Sequence, residues 1–171
     1  RQLVPCAPEK PEDMYQEIVE TVARFQREDL RKLVTEVLRM AGDRLMYFPA
    51  AQRLHHAERS GLLHHTTGML RTAEHILAAY PFLNGDLLRA GVILHDLCKI
   101  QEMKSDSLGN VSDYTRDGLL IGHLVRGVAQ LQLAAQNVGV EGEIVLLLEH
   151  MILSHHGEAE YGSPRMPMFP E

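Results

Sequence analysis

The chain has 171 residues, a length that suits one domain with its own hydrophobic core. Hydrophobic residues make up 45% and charged residues 23% of the sequence, which excludes a disordered chain. A net charge of −6 argues against a surface that binds nucleic acid through a broad basic field, although bound divalent ions would still admit a phosphate substrate. No apolar run is long enough to span a bilayer, so we expect no membrane partner. The two cysteines are far apart in the sequence, which suits a reducing compartment, so we expect a cytoplasmic location.

The N-terminal part predicts a linker followed by packing helices. Residues 1–12 contain three prolines, and we expect an extended linker that is the remnant of a connection to an upstream domain. A helix should begin at Glu12 or Asp13, and a second helix after Asp29 should end at Gly42. Residues 13–171 are therefore predicted to form one domain.

Two further predicted helices contain polar residues on apolar faces. The pattern predicts a helix from Gly61 to Tyr80, with His65 on its apolar stripe, and a helix from Leu87 to Leu97 that is apolar nearly all round. The second helix contains His95 and Asp96. A buried imidazole beside a buried carboxylate is costly without a partner, and a divalent cation is a simple partner for both.

The C-terminal half predicts a polar loop and two more helices. Residues 101–118 are polar and predict a long loop, with a hairpin about Gly109-Asn110 as one form of it. Apolar residues from Leu120 to Leu131 predict the next helix, with His123 one position off the stripe, and Ile144 to His155 predict the last. No strand-like alternation is sustained, so the predicted class is all-α.

Histidines recur on four of the predicted helices. A single histidine on an apolar face is more often a hydrogen-bonded core residue than a ligand, but packing alone explains the joint pattern poorly. Bundles build metal sites from side chains on facing helices, and imidazoles with a carboxylate favour Mn, Fe, Co, Ni or Zn over Ca or Mg. We therefore predict one or two divalent transition-metal ions, with candidate ligands His65, His95, Asp96, His123, His150, His155 and His156.

The order of these residues along the chain resembles that of a known family. The sequence resembles the HD superfamily of metal-dependent phosphohydrolases, and more closely the HD domain of the YhaM-type 3′–5′ exoribonucleases, in which an OB-fold nucleic-acid-binding domain precedes it. The resemblance implies an HD-domain helical bundle with the metal site in its core. The motifs that carry it are Leu3-Val4-Pro5, His55-His56-Ala57, Gly61-Leu62-Leu63-His64-His65-Thr66, Leu94-His95-Asp96-Leu97-Cys98-Lys99, Gly122-His123, His150-Met151-Ile152-Leu153-Ser154-His155-His156-Gly157, Glu160-Tyr161-Gly162-Ser163-Pro164 and Pro167-Met168-Phe169-Pro170-Glu171.

The resemblance also implies how the ligands are shared between two ions. His65, His95 and Asp96 are assigned to one ion. A second ion is assigned to Asp96, His123 and either His155 or His156, so that Asp96 bridges the two. Manganese is the metal we expect.

Roles beyond metal binding are predicted for a few further residues. Asp96 and Lys99 are the expected catalytic residues, because Lys99 lies one helical turn after Asp96 and can contact a phosphate oxygen. The alternative for Lys99 is a helix-end lysine that faces the C-terminal dipole. His56 and His150 are candidates for contacts to the substrate or to the ligands.

The sequence departs from the family at two places. Cys98 stands where many HD proteins have glycine, and we expect it to be a small buried residue of little consequence. HD domains also use an aspartate near the C-terminus as a metal ligand. We expect that aspartate just beyond Glu171, in a chain truncated at that end.

The function that the resemblance implies is metal-dependent hydrolysis of phosphodiester bonds in single-stranded RNA, or in DNA, by the catalytic HD domain of a 3′–5′ exoribonuclease. An upstream OB-fold domain would bind the strand, and an oligomer is compatible with the sequence. One alternative is a phosphodiesterase or phosphatase of small or cyclic nucleotides. Alternatives from other classes are a di-iron HD-fold oxygenase and a non-catalytic helical interaction domain.

Overall fold

The protein is described from a computed structural model, which covers residues 5–51 and 58–171 and is mostly helical. The predicted all-α class is confirmed. The elements in chain order are helices α1 (Pro11–Ala23), α2 (Glu28–Ala41), α3 (Gly61–Ala79), α4 (Gly85–Leu94) and α5 (Lys99–Glu102), strands β1 (Met103–Ser105) and β2 (Val111–Tyr114), and helices α6 (Arg116–Leu120), α7 (Gly122–Val138) and α8 (Glu143–Ser154), with 3₁₀ turns at Gly42–Met46 and Ala159–Tyr161.

Helix α4 lies in the middle of the bundle. It packs against α3, α2 and α8, while α7 packs against both α2 and α8. Contact on several sides explains why α4 is apolar nearly all round, since most of its residues from Leu87 onward are buried. Gly91 allows the closest approach, because a Cβ atom there would lie 2.2 Å from Cε of Met151 on α8. The central helix therefore brings its C-terminal end into the core.

Three helices end earlier than the sequence predicts, among them α3, which ends at Ala79 rather than Tyr80. Helix α4 ends at Leu94 rather than Leu97, and His95 to Cys98 form a turn before α5. Helix α8 ends at Ser154, one residue before His155. The apolar pattern continues through buried Leu97, so periodicity alone cannot distinguish this turn from helix.

The polar segment 101–118 contains the hairpin that was one of the predicted forms. Strands β1 and β2 pair antiparallel, and Gly109 in the connection has a φ of +83°. Strands of three or four residues are too short to show a sustained alternating pattern, so only the turn residues indicated them. Helix α6 was not predicted, and α7 begins at Gly122 rather than at Leu120.

The N-terminal residues lie against the domain. The amide of Ala7 donates to the carbonyl of Arg59 at 3.0 Å, and Glu9 forms an ion pair with Arg71 of α3 at 2.9 Å. Helix α1 begins at Pro11, one or two residues before the predicted start. Residues 5–10, which belong to the segment predicted as a linker, are thus held to the bundle and bend at Pro8 and Glu9. Among the described residues, no helix is both long and apolar enough to cross a membrane.

Candidate metal centre

Six of the predicted ligands converge at one place in the core. They come from α3, from the turn after α4, from the first turn of α7 and from the residues directly after α8. They form two sets, within each of which the possible ligand atoms lie no more than 4.8 Å apart. We call them the first triad (His65, His95 and Asp96) and the second triad (His123, His155 and His156).

The carboxylate of Asp96 lies between the two triads. Its side chain is buried, with 4% of the residue exposed. Oδ2 faces the first triad, at 3.6 Å from Nε2 of His65 and 3.3 Å from Nε2 of His95. Oδ1 faces the second triad, at 3.5 Å from Nε2 of both His123 and His155. One carboxylate therefore offers an oxygen to each side, which is the arrangement that a bridging ligand needs.

Hydrogen bonds at Nδ1 fix the orientation of the imidazole rings. A carbonyl oxygen only accepts, so a ring whose Nδ1 contacts one carries its proton there and, when neutral, presents a lone pair on Nε2. Three rings are held in this way: His95 donates to the carbonyl of Val92 at 2.7 Å, His155 to that of Ile152 at 2.8 Å, and His156 to that of Tyr161 at 2.7 Å.

Ring nitrogens and the carboxylate of Asp96 lie close together at the centre. His65 and His95 bring their Nε2 atoms within 3.2 Å of each other. Within the described part of the chain, Oδ1 of Asp96 and Nε2 of His123 are buried without a hydrogen-bond partner. Buried acceptors without donors are unfavourable, and a divalent cation would satisfy several of them together. The residues of both triads fit a metal ion.

The pKa shifts at the centre favour the ligating forms. Burial acts to raise the pKa of Asp96, but the imidazoles of His155 and His95 and the Lys99 ammonium outweigh it, so the pKa lies well below its usual range. Burial lowers the pKa of His156, helped by the neighbouring imidazoles of His155 and His123. At neutral pH the carboxylate is charged and the His156 ring is neutral.

Lys99 contacts the shared carboxylate. Its Nζ atom lies 2.8 Å from Oδ2 of Asp96, on the side of the first triad. Lys99 is the first residue of the four-residue helix α5, so it belongs to both the first and the last turn of that helix. Its ammonium is therefore close enough to the centre to contact a phosphate that reaches the ions.

Sequence reasoning missed Glu102. Its Oε2 atom lies 2.5 Å from Nδ1 of His123, so it orients that ring as the carbonyls orient the others. Thr115 holds this end of α5, since its amide donates to the carbonyl of Glu102 at 2.8 Å. At Gly118 a Cβ atom would lie 2.2 Å from the same oxygen, so α6 can approach only with glycine there. No local signal marks Glu102, because the whole hairpin separates it from His123.

Two cavities adjoin the centre. The apolar cavity, of about 430 Å³, begins at the first triad, at His155 and at His156, and its walls include Met69, Leu88, Val92, Met151 and Phe169. The polar cavity, of about 320 Å³, is lined by Lys99, Glu102, Tyr114, His123 and His156 among others. The ions would therefore be accessible from two chemically different sides.

The remaining candidates are distributed as follows. His150 lies outside both triads and lines the apolar cavity. His56 lies outside the described residues, and an aspartate beyond Glu171 stays a prediction. Cys98 is buried, as expected of a small apolar residue.

The comparisons with known proteins show the family of this chain. The model of the HD domain family matches residues 62–169. Proteins named 3′–5′ exoribonuclease YhaM are 42% identical in Geobacillus sp. (strain WCH70), 38% in Oceanobacillus iheyensis and 39% in Bacillus pumilus, each over 96% of this chain. The chain spans about half the length of these curated relatives, between 50% and 52%. No solved structure matches the chain.

Proposed function

This chain belongs to the HD domain family, and we propose that it is the metal-dependent phosphohydrolase domain of a 3′–5′ exoribonuclease. The observation that carries the proposal is the buried carboxylate of Asp96, whose two oxygens face two separate groups of imidazole nitrogens. Two-ion sites of this kind suit the displacement of one oxygen by another at phosphorus. The names of the relatives supply the substrate class, RNA, and we propose single-stranded RNA, with DNA as the second strand to test.

The chemistry is hydrolysis of the last phosphodiester bond of the strand. Divalent cations held by the triads would supply Lewis acidity at the phosphate and lower the pKa of water to near neutrality. The water oxygen forms the new bond to phosphorus, the bond from phosphorus to the 3′ oxygen of the penultimate nucleotide breaks, and a proton from the water ends on that 3′ oxygen. The products are a nucleoside 5′-monophosphate and a strand one nucleotide shorter.

The residues of the chain have separate parts in this reaction. Both triads would hold the ions, and Glu102 keeps Nε2 of His123 directed toward Asp96. The ammonium of Lys99 stabilises the negative charge that grows on the phosphate oxygens. Manganese is the ion we propose for both positions, with Fe, Co, Ni and Zn as the other candidates that imidazole and carboxylate ligands accept.

Binding of the strand requires more than this chain. A net charge of −6 gives little general attraction for RNA, so we propose that an upstream OB-fold domain supplies it in the full protein. Both cysteines are free thiols, which suits the cytoplasmic location that we propose with it.

The test is hydrolysis of 5′-end-labelled single-stranded RNA in the presence of Mn²⁺, with DNA of the same sequence in parallel. A ladder that shortens from the 3′ end is the expected result. Intact strands together with rapid cleavage of a cyclic dinucleotide or a nucleotide monoester would instead support a phosphodiesterase or phosphatase of small nucleotides. Consumption of dioxygen by the iron-loaded protein, without hydrolysis, would support an oxygenase.

A further inference from the structure

We propose that the apolar cavity binds the nucleoside at the 3′ end of the strand, with its base against Phe169 and His150. This inference rests on the proposed function, which places the last phosphate at the metal centre. It adds which part of the substrate occupies which cavity, and which side chains contact the base.

The position of the cavity ties it to the reacting phosphate. His65, His95 and Asp96 form its inner end, so a nucleotide whose phosphate lies at the first triad has its sugar and base inside or beside the cavity. Its volume of about 430 Å³ falls within the range of ligand pockets, roughly 300 to 1,000 Å³. The cavity is therefore large enough for a terminal nucleoside.

The walls suit a flat aromatic group. Beyond the triads they are formed mainly by methionine, aliphatic and aromatic side chains, among them Met69, Val92, Met151 and Phe169. Nucleobases stack on aromatic rings, and methionine sulfur makes favourable contacts with aromatic groups. Gly91 contributes by the absence of a side chain, because the Met151 side chain occupies the space that a Cβ atom would need. The polar cavity differs in having charged groups on its walls, Lys99 and Glu102, beside Tyr114.

The wall that would contact the base is already in place. The amide of Met168 donates to Nε2 of His150 at 3.1 Å, so the neutral ring of His150 carries its proton on Nδ1. The rings of His150 and Phe169 lie 5.4 Å apart, and Phe169 is packed against the hydrophobic core. A surface that is ordered before binding loses less entropy when the ligand arrives.

A second attachment holds the same segment at its other end. The amide of Asn84, at the start of α4, donates to Oε1 of Glu171 at 2.7 Å. Glu171 also lines the cavity, where its carboxylate is an acceptor that a sugar hydroxyl can reach. Residues 167–171 are thus held at His150 and at Asn84, and they close one side of the cavity.

The direct test is the affinity for adenosine 5′-monophosphate, measured by calorimetry on the Mn²⁺-loaded protein. Replacing Phe169 with alanine should weaken binding roughly 5- to 150-fold, which corresponds to the loss of one base–aromatic stack. Phe82→Ala is the matched control, because Phe82 is 74% exposed and does not line the cavity. Ribose 5-phosphate, which has no base, should bind the Phe169→Ala and unchanged proteins equally.

A second variant covers the case in which Phe169→Ala fails to fold. Met168 also lines the cavity but is 82% exposed, so Met168→Ala leaves the core intact and should still weaken binding of adenosine 5′-monophosphate more than of ribose 5-phosphate. Equal affinities of all folded variants for adenosine 5′-monophosphate would overturn the inference.

The result is separable from the proposed function. If the protein shortens RNA from the 3′ end and its Phe169→Ala and Met168→Ala variants bind adenosine 5′-monophosphate normally, the proposed function is kept. The cavity assignment is then rejected. If these variants lose nucleotide binding and the unchanged protein does not shorten RNA, the exoribonuclease proposal is rejected. The nucleotide site is then kept.

Discussion

The two triads share one carboxylate and differ in what surrounds them. The first triad lies at the end of the central helix α4, and Lys99 contacts the oxygen of Asp96 that faces it. The second triad has three imidazoles, and Glu102 supports one of them from outside the bundle core. Lys99 thus contacts the oxygen that faces the first triad, while its side chain also lines the polar cavity beside His123 and His156.

The supports of the triads also differ. In the first triad, Nδ1 of His95 is held by the carbonyl of Val92, in the last turn of the preceding helix α4. In the second triad, His123 depends on Glu102, and Glu102 depends on the return of the chain through the hairpin to Thr115. We therefore expect changes in the surrounding structure to affect the second triad more easily than the first.

The largest effect should follow replacement of the shared residue. Asp96→Asn removes the charge that both ions need, so metal loading and hydrolysis should both be lost. Thermal unfolding checks this: Mn²⁺ at about 100 times its dissociation constant should raise the melting temperature of the unchanged protein by roughly 5 to 10 °C and leave Asp96→Asn unaffected. Asp113→Asn, on the exposed face of the hairpin, is the control. Full activity of Asp96→Asn would reject the metal-hydrolase proposal.

Removing one imidazole from each triad tests whether the triads hold separate ions. His65→Ala should empty the first position and His156→Ala the second, so each variant should retain one ion of two. Elemental analysis after dialysis gives the count. If either variant retained none, a single ion shared by both triads would replace the two-ion description.

Replacing Lys99 tests the difference between the surroundings of the two triads. Lys99→Ala should lower kcat roughly 10²- to 10³-fold, the range for loss of one group that stabilises transition-state charge. Both ions should remain, because Lys99 is not a ligand, and Lys99→Arg should recover part of the rate. An unchanged kcat in Lys99→Ala, with normal metal content, would show that the ammonium only pairs with Asp96.

Glu102 should affect only the second triad. Glu102→Ala releases the ring of His123, and the loss of such a supporting carboxylate typically lowers metal affinity about 10- to 100-fold. Calorimetric titration with Mn²⁺ should show one weakened binding step and one unchanged step. Glu102→Gln keeps an acceptor for Nδ1 and should recover part of the affinity, whereas equal weakening of both steps would contradict a local role.

The smallest effect concerns Cys98, which lies two residues after Asp96 but belongs to neither triad. Burial raises the pKa of its thiol to about 12, so the thiol is protonated and unreactive at pH 8. Iodoacetamide should therefore label only the exposed Cys6 in the folded protein and both cysteines after denaturation. Rapid labelling of both thiols in the folded protein would contradict the burial of Cys98.

Sequence reasoning succeeded where the signal is local. The apolar spacing in α1, α2 and α3 placed these helices within a few residues, and the hairpin about Gly109-Asn110 was found from its turn residues. It failed at Leu97, which is buried in a turn as completely as a helical residue would be, and at Glu102, whose partner lies beyond the hairpin. Periodicity reports burial, which helices and turns in a core have in common.

The sequence by itself determined the helical class and the set of ligand types, because both depend on residue identity and short-range spacing. Only the tertiary structure decided that Oδ1 and Oδ2 of Asp96 face different imidazoles, and that the centre lies between an apolar and a polar cavity. Those features depend on distances between residues far apart in the chain. Such distances are decided by how α3, α4, α7 and α8 pack together, and by the carbonyl or carboxylate that each ring meets behind it.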